Sequence, residues 1–319
     1  METAEGKTGV TRPASRLSGH SLSWAALLLL VVVWGSTFAG IRMGVETISP
    51  AWLVTGRLLS GTFFLGVWIL GSGMLRPIER ATDEQGVSLK AIAWFGLIGI
   101  GATAIPFILY AHAAESVGSA VMAICNGGTP FATVLMAHFF TTDRLSARRL
   151  AGVMMGFLGL VVLVLPEFRE GAGASLIGIL LAIFGAWLYA MGNVATRLAP
   201  RVEPVLSSFI IVGMGGVVAL LYALAMEPFP VAASFQSITA MIVLGLLPTA
   251  FAMFVYVWLI RRAGPVFVSF TTYMSPLWAT GLGVIFLGEK LEWSMAGALA
   301  LILAGVAVAN RRPANRQPT

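Results

Sequence analysis

Ten stretches of roughly twenty apolar residues, spread along nearly the whole chain, constrain this sequence more than any other feature. A helix needs ~20 mostly apolar residues to cross ~30 Å of hydrocarbon. Such stretches run over 23–41, 50–71, 91–111, 117–140, 149–166, 174–196, 204–225, 237–260, 265–287 and 294–310. Turn and charge signals separate them, among them Glu46 to Pro50, Arg76 to Lys90, Asp143 to Arg149, Pro200 to Pro204 and Arg261 to Gly264. The split between the third and fourth rests on Glu115, Ser116 and Gly118 alone. The ~10-residue alternating segments of a membrane β-barrel do not occur. Of the 319 residues 58% are hydrophobic and 11% charged, too few polar groups for a water-exposed surface, which carries about 25%. A soluble enzyme, a nucleic-acid binder and a disordered scaffold are excluded as leading readings. The single cysteine, Cys125, allows no internal disulfide.

Lys and Arg set the expected orientation. With the N-terminus inside, sixteen basic residues fall on the inner side, including Arg144, Arg148, Arg149, Arg197, Arg201, Arg261 and Arg262. Three fall outside (Arg42, Arg169 and Lys290), and Arg57 lies within a span. That bias is the positive-inside signature and calls for an even number of spans, with both termini cytoplasmic in an inner (plasma) membrane. It also accounts for the net charge of +6 without a nucleic-acid partner. The first stretch loosely fits a cleaved signal peptide ending at Thr37-Phe38-Ala39. Its removal would leave nine spans and spoil the symmetry described next.

The chain repeats itself at an offset of 146 residues without a gap from 99 to 145. Gly99-Ile100-Gly101-Ala102-Thr103-Ala104 aligns with Gly245-Leu246-Leu247-Pro248-Thr249-Ala250. Tyr110 falls on Tyr256, Gly118 on Gly264, Pro130 on Pro276, and Asp143-Arg144-Leu145 on Glu289-Lys290-Leu291. The repeat unit is therefore five helices. An odd number of spans puts the second copy into the bilayer upside down. Inverted repeats of this kind are a common build of secondary transporters, with the site at the midplane between the halves. The expected organisation is a tail over 1–22, a first repeat over 23–166, an inverted second repeat over 167–310, and a tail over 311–319.

These two five-helix copies, with Trp34-Gly35-Ser36-Thr37-Phe38 in the first helix, the buried Arg57, the matched Pro130 and Pro276 and the acidic-basic-Leu loops, resemble the EamA family of the drug/metabolite transporter superfamily. Within it the chain looks similar to the aromatic amino acid exporter branch. The resemblance spans about residues 23–310 and implies a ten-helix bundle that exports or exchanges small metabolites.

A charge inside the membrane is costly and usually functional. All fourteen acidic residues fall in tails, loops or span ends, so no buried carboxylate offers a proton relay. Glu115, His112 and His138 are the titratable groups nearest the membrane. Arg57 has two readings: an anchor for a substrate carboxylate or a gate partner, since its fork of donors is rigid, or a structural residue that snorkels or binds neighbouring carbonyls. Pro106, Pro130, Pro248 and Pro276 each free a helix carbonyl. Pro130 and Pro276 are read as helix-break or gating positions. Near them lie Asn126, Gly127, Gly128 and Thr129 in one half and Thr271, Thr272, Tyr273 and Ser275 in the other, either a transport site or close helix packing. Gly152 and Gly156, four residues apart, read as packing.

The expected substrate-binding residues are Trp34, Asn126, Trp187, Tyr189, Asn193 and Tyr273. Tyr189 and Asn193, at i and i+4, can share a helix face, whereas Trp187 cannot join them in a tight stripe. Tyr110 and Tyr256 are repeat mates that read as interfacial anchors. No metal-ligand cluster, catalytic constellation or phosphate loop occurs, so neither enzyme activity nor a cofactor or metal is expected. The sequence thus predicts an all-α integral membrane protein of ten transmembrane helices. It is expected to work by alternating access as a facilitator for neutral or aromatic amino acids, with a small-molecule substrate and the lipid bilayer as partners. The alternatives are an exporter of drugs or other amphipathic solutes, with or without proton coupling, and a membrane-embedded enzyme or scaffold. The residues assign no oligomeric state.

Overall fold

The computed structural model describes residues 16–72, 88–114, 125–142, 145–169, 176–275, 277–278, 281 and 293–310. Among them there is no strand, as expected where hydrocarbon forces every backbone polar group to find a partner within its own segment. The first half holds α1 (Arg16–Gly35), α2 (Thr37–Gly44), α3 (Pro50–Gly71), α4, α5 (Thr129–Phe140) and α6 (Ala147–Arg169). The second holds α7 (Leu176–Leu198), α8 (Pro204–Met226), α9, α10 (Pro265–Ser269, resuming over 271–275) and α11 (Trp293–Asn310). Helices α4 and α9 are composite rods. In α4, Leu89–Gly99 and Ile105–Ala114 flank a π-helical segment, Ile100–Ala104. In α9, Phe235–Leu244 and Ala252–Ala263 flank another, Gly245–Phe251.

By length and composition five of these helices can cross a membrane: Pro50–Gly71, Leu89–Tyr110, Leu176–Leu198, Pro204–Met226 and Phe235–Ala263. Shorter apolar helices occupy Ser21–Gly35, Thr129–Phe140 and Ala296–Ala309. With α6 and the α10 stretch, these fill the ten places in two five-helix repeats. The connection at 115–124, Pro276 and the Asp143-Arg144 and Glu289-Lys290-Leu291 motifs lie outside the described residues.

The internal repeat is written into the geometry. Ser88 and Ser234, at the same 146-residue offset, are both N-caps whose hydroxyls accept the backbone N–H three residues on, from Ala91 (3.2 Å) and Ser237 (3.1 Å). Both π-helical segments fall within the aligned Gly99–Ala104 and Gly245–Phe251 stretches. Each sits where the rod crosses a glycine-bearing helix of the other half. A methyl group on Gly99 would strike the carbonyl of Ile211 in α8, and one on Gly245 would strike the carbonyl of Arg57 in α3. Reciprocally, a Cβ on Gly215 would stand 3.1 Å from the Gly99 carbonyl, and one on Gly61 3.0 Å from the Gly245 carbonyl. These two crossings join the halves, and they make Arg57 and Ile211 structural counterparts.

The first span departs from the single helix expected over 23–41. It breaks at Ser36, between α1 and α2. Gly35 lies against the Ser275 carbonyl and Trp278, the Ser36 hydroxyl accepts from Trp278 Nε1 (3.0 Å), and Thr37 Oγ1 donates back to the Val33 carbonyl (3.1 Å). A hydroxyl bonded to the carbonyl four residues earlier commonly bends a helix. Basic residues at the other end tie loops to helix termini. Arg197 Nη1 donates to the carbonyls of Ile260 (3.5 Å) and Arg261 at the end of α9, and the Arg261 guanidinium reaches the carbonyls of Val202 and Pro200. Cations near helix C-termini complement the exposed carbonyls and the dipole.

Helices α6 and α11 pack through small residues, because apolar side chains gain little from leaving lipid and only close backbone approach adds dispersion energy. A Cβ on Gly152 would lie 2.5 Å from the Gly305 carbonyl oxygen and 2.6 Å from the Ala309 nitrogen; Gly159 faces Ala298 and Ile302. Gly152 therefore serves packing, as expected, and Gly156 leaves room for the ring of Tyr273. Because the groups facing Gly152 are backbone, Gly152→Val should cost about 1–3 kcal/mol. The measurement is the unfolding temperature of the purified protein in detergent: it should fall, and an unchanged value would contradict this packing.

Candidate functional site

Between the two halves lies a cavity of about 290 Å3. That is near the lower end of the ~300–1,000 Å3 range of small-molecule sites. Its wall is built from both repeats. The first half contributes Trp34, Thr37, Arg57, Thr103, Phe107, Asn126 and Thr129, and the second Tyr189, Asn193, Ile211, Pro248, Thr249 and Tyr256, with Val268, Ser269, Thr271, Thr272 and Ser275 closing one side.

Proline chemistry organises one face. Pro248 lacks an N–H, so the carbonyl of Leu244 loses its normal helical donor. The π-helical turn brings Thr249, five residues on, to that carbonyl, and the Thr249 hydroxyl also donates to Leu244 O at 2.8 Å. The Thr249 hydroxyl oxygen in turn accepts from Nε of Arg57 at 2.8 Å. One residue back, the Pro248 carbonyl accepts Nε1 of Trp34 at 3.0 Å. The π-helical turn of α9 thus fixes two side chains of the other half. The Arg57 guanidinium lies 4.8 Å from the centroid of Phe107, a cation–π contact that holds its plane.

Two aromatic pairs involve residues of this wall. Trp34 packs on Tyr256 at 5.7 Å between centroids, and Tyr189 stacks on Tyr110 at 5.7 Å with planes 16° apart. The hydroxyls anchor amides: Tyr256 donates to Asn193 Oδ1 (2.7 Å) and Tyr110 to Asn126 Oδ1 (3.1 Å). Asn193 Nδ2 then donates to Thr133 Oγ1 (3.2 Å), whose hydroxyl donates to the Thr129 carbonyl (2.8 Å). The Thr129 hydroxyl reaches Asn126 Oδ1 (3.2 Å) and the Ala186 carbonyl (3.3 Å). Chains of this kind hold polar side chains in one orientation where water is excluded. Arg57 is the only charged side chain among the described lining residues; no carboxylate or histidine is among them.

Of the residues expected to bind substrate, the structure brings Trp34, Asn126, Tyr189 and Asn193 to one cavity, together with Arg57. It does not bring Trp187 or Tyr273. Trp187 is 41% exposed on the outer surface of α7, since two positions along a helix turn a side chain away from Tyr189. Tyr273 is fully buried behind the wall, its ring against Gly156 and its hydroxyl donating to the Val153 carbonyl at 3.2 Å. Pro130 is buried in the first turn of α5 next to the lining Thr129, and Pro276 lies outside the described residues. Sequence reasoning did not select Thr103, Phe107 or Thr249, and it read Tyr110 and Tyr256 as membrane-surface anchors. The 146-residue alignment already paired Thr103 with Thr249 and Tyr110 with Tyr256, a signal that could have found them.

No metal-binding group of three His, Cys, Asp or Glu occurs among the described residues. Two matched helical halves enclosing a cavity at their interface, within helices apolar enough to span a bilayer, define a multi-pass membrane transporter. The sequence matches the EamA-like transporter family over residues 22–165 and 176–311, one match in each half, and the chain belongs to that family. It is 25% identical over 287 residues to the uncharacterized inner membrane transporter YedA of Escherichia coli, covering 86% of this chain and 87% of that one. It is 26% identical over 295 residues to a probable terminal-alkyne amino-acid exporter of Streptantibioticus cattleyicolor, covering 92% and 94%. A crystal structure at 23% identity superposes with a TM-score of 0.71 over 93% of this chain and 98% of its own, and so shares the fold.

Asn193 and Trp187 separate the cavity from the lipid-facing surface. Asn193→Ala strands the Tyr256 hydroxyl, and an unmet buried group costs ~1–3 kcal/mol. Transport should fall about tenfold with folding retained, whereas Trp187→Ala should leave the rate unchanged. Flux assays on the two reconstituted variants check this, and equal rates would remove Asn193 from the site.

Proposed function

We propose that this transporter carries neutral amino acids, aromatic ones favoured, through the cavity between its two halves by alternating access. The observation that carries the reading is a wall combining aromatic rings (Trp34 packed on Tyr256, and Tyr189, itself stacked on Tyr110) with two oriented amides and one guanidinium. Rings supply apolar and π contact for an aromatic side chain; the amides and Arg57 suit its polar end. A cavity of about 290 Å3 fits a solute of amino-acid size. The relative from Streptantibioticus cattleyicolor, named a probable amino-acid exporter, points the same way. The binding residues of this reading are Trp34, Asn126, Tyr189 and Asn193, with Arg57 as anchor. Facilitated movement is favoured over proton coupling because the described lining holds no carboxylate or histidine. The location named for YedA supports an inner-membrane location, and the basic loops support cytoplasmic termini.

A second reading, transport of amphipathic solutes, has its own support. An apolar crevice of about 610 Å3 between α1–α2 and α9, lined by Val32, Val243 and Leu247 among others, shares Thr37 and Pro248 with the central cavity. It would admit a solute sideways from the bilayer.

The deciding experiment is uptake of labelled amino acids into liposomes containing only the purified protein, with and without a pH gradient. Saturable uptake of phenylalanine, tryptophan or leucine, indifferent to the gradient, is expected. Accumulation driven by the gradient would overturn the facilitator reading. Absence of flux for every amino acid, with flux of an amphipathic dye, would replace the substrate class by the second reading.

A further inference from the structure

The two halves differ at one charge. Arg57 and Ile211 hold equivalent places, each with its backbone carbonyl against the glycine that opens the opposing π-helical segment, and both line the same cavity. The second half shows what this crossing requires of a side chain: Ile211, a fully buried aliphatic residue, satisfies it. Helix packing therefore does not demand a guanidinium at position 57. The one that stands there is costly, since a cation at membrane depth without a counter-charge is strongly disfavoured.

Its setting shows how it is held and what it lacks. Nε donates to Thr249 Oγ1 at 2.8 Å, and the plane rests on Phe107. That is the hydrogen bond the Arg57 side chain makes with the described residues, which leaves the donors of its two terminal amino groups for another partner. No described residue lining the cavity is an anion. The amide oxygens are already engaged: Asn126 Oδ1 accepts from Tyr110 and Thr129, and Asn193 Oδ1 accepts from Tyr256. The described lining thus presents a fixed cation with donors to spare, and no charged group for an ammonium.

We infer that the cavity reads the carboxylate of its solute and not the amine: it takes monocarboxylates with an aromatic or aliphatic body, with or without an α-amino group, in the fork of Arg57, and it discriminates against cations. The planar guanidinium matches a carboxylate through two parallel N–H···O bonds, which an ammonium cannot form. The inference rests on the reading that the central cavity is the transport site, and it widens the substrate class from amino acids to their deaminated counterparts.

The test uses the purified full-length protein and three probes that differ only at the polar end: L-phenylalanine, 3-phenylpropionate and phenethylamine. Binding is followed by calorimetry and transport by competition with labelled phenylalanine in liposomes. Phenylalanine and 3-phenylpropionate should bind within about threefold of each other, with phenethylamine about thirtyfold weaker or more. Arg57→Gln should weaken both carboxylates by about thirtyfold while leaving phenethylamine unchanged or tighter, and Arg57→Lys should recover part of the loss. A role in packing alone would weaken all three probes together. If phenethylamine competes as well as phenylalanine in the wild type, the inference falls whatever the variants do. If Arg57→Gln carries phenylalanine normally while Asn193→Ala does not, the cavity stands as the site and the carboxylate assignment is overturned. If neither variant alters transport, the cavity itself is not the path.

Discussion

Backbone-to-backbone contact at two helix crossings governs the arrangement of this protein. Gly245 lies on the carbonyl of Arg57, and Gly99 lies on the carbonyl of Ile211, too close in both cases for a side chain. Within a bilayer such contacts replace the hydrophobic drive that assembles soluble bundles, because lipid tails are as apolar as the side chains they meet. Each crossing joins one half of the molecule to the other, and each carries a π-helical segment on the rod that makes it. The halves are thereby held at a distance that leaves room for a cavity and no more.

The cavity inherits its chemistry from how those segments complete their hydrogen bonds. In α9 the proline at 248 removes the donor four residues past Leu244, and the Thr249 hydroxyl donates to the Leu244 carbonyl and accepts from Arg57. The Pro248 carbonyl holds the indole of Trp34. The polar face of the cavity is therefore an extension of backbone hydrogen bonding, in which groups that must be satisfied away from water are satisfied by side chains that also line the cavity. Symmetry supplies the aromatic pairs, Trp34 with Tyr256 and Tyr189 with Tyr110. The departure from symmetry, Arg57 opposite Ile211, supplies polarity and sign.

The class, the helical architecture and the repeat were legible because they rest on features that survive projection onto one dimension. A run of ~20 apolar residues needs no knowledge of its neighbours to be a membrane helix, and a repeat is a property of the string itself. Asn193 and Tyr189 were recoverable for a related reason: their four-residue spacing places them on one helix face wherever that helix goes. Trp187 and Tyr273 were not, since facing lipid or packing behind the wall is settled by which side of each helix the neighbouring helices cover. Tyr256 looked like an interfacial anchor because position along a span suggests depth, while its hydroxyl turns inward to Asn193.

The sequence by itself determined that this chain is a bundle of membrane helices in two related halves, with basic residues gathered in particular loops and one arginine within an apolar span, since hydrophobicity, charge and repetition are local or self-referential properties. Only the tertiary structure decided what that arginine meets. Residues 57, 107 and 249 are far apart in the chain and come together because glycines let α3 cross the π-helical turn of α9 at backbone contact. Such a contact depends on the absence of side-chain atoms at two distant positions at once. No hydrophobic pattern along either helix encodes it.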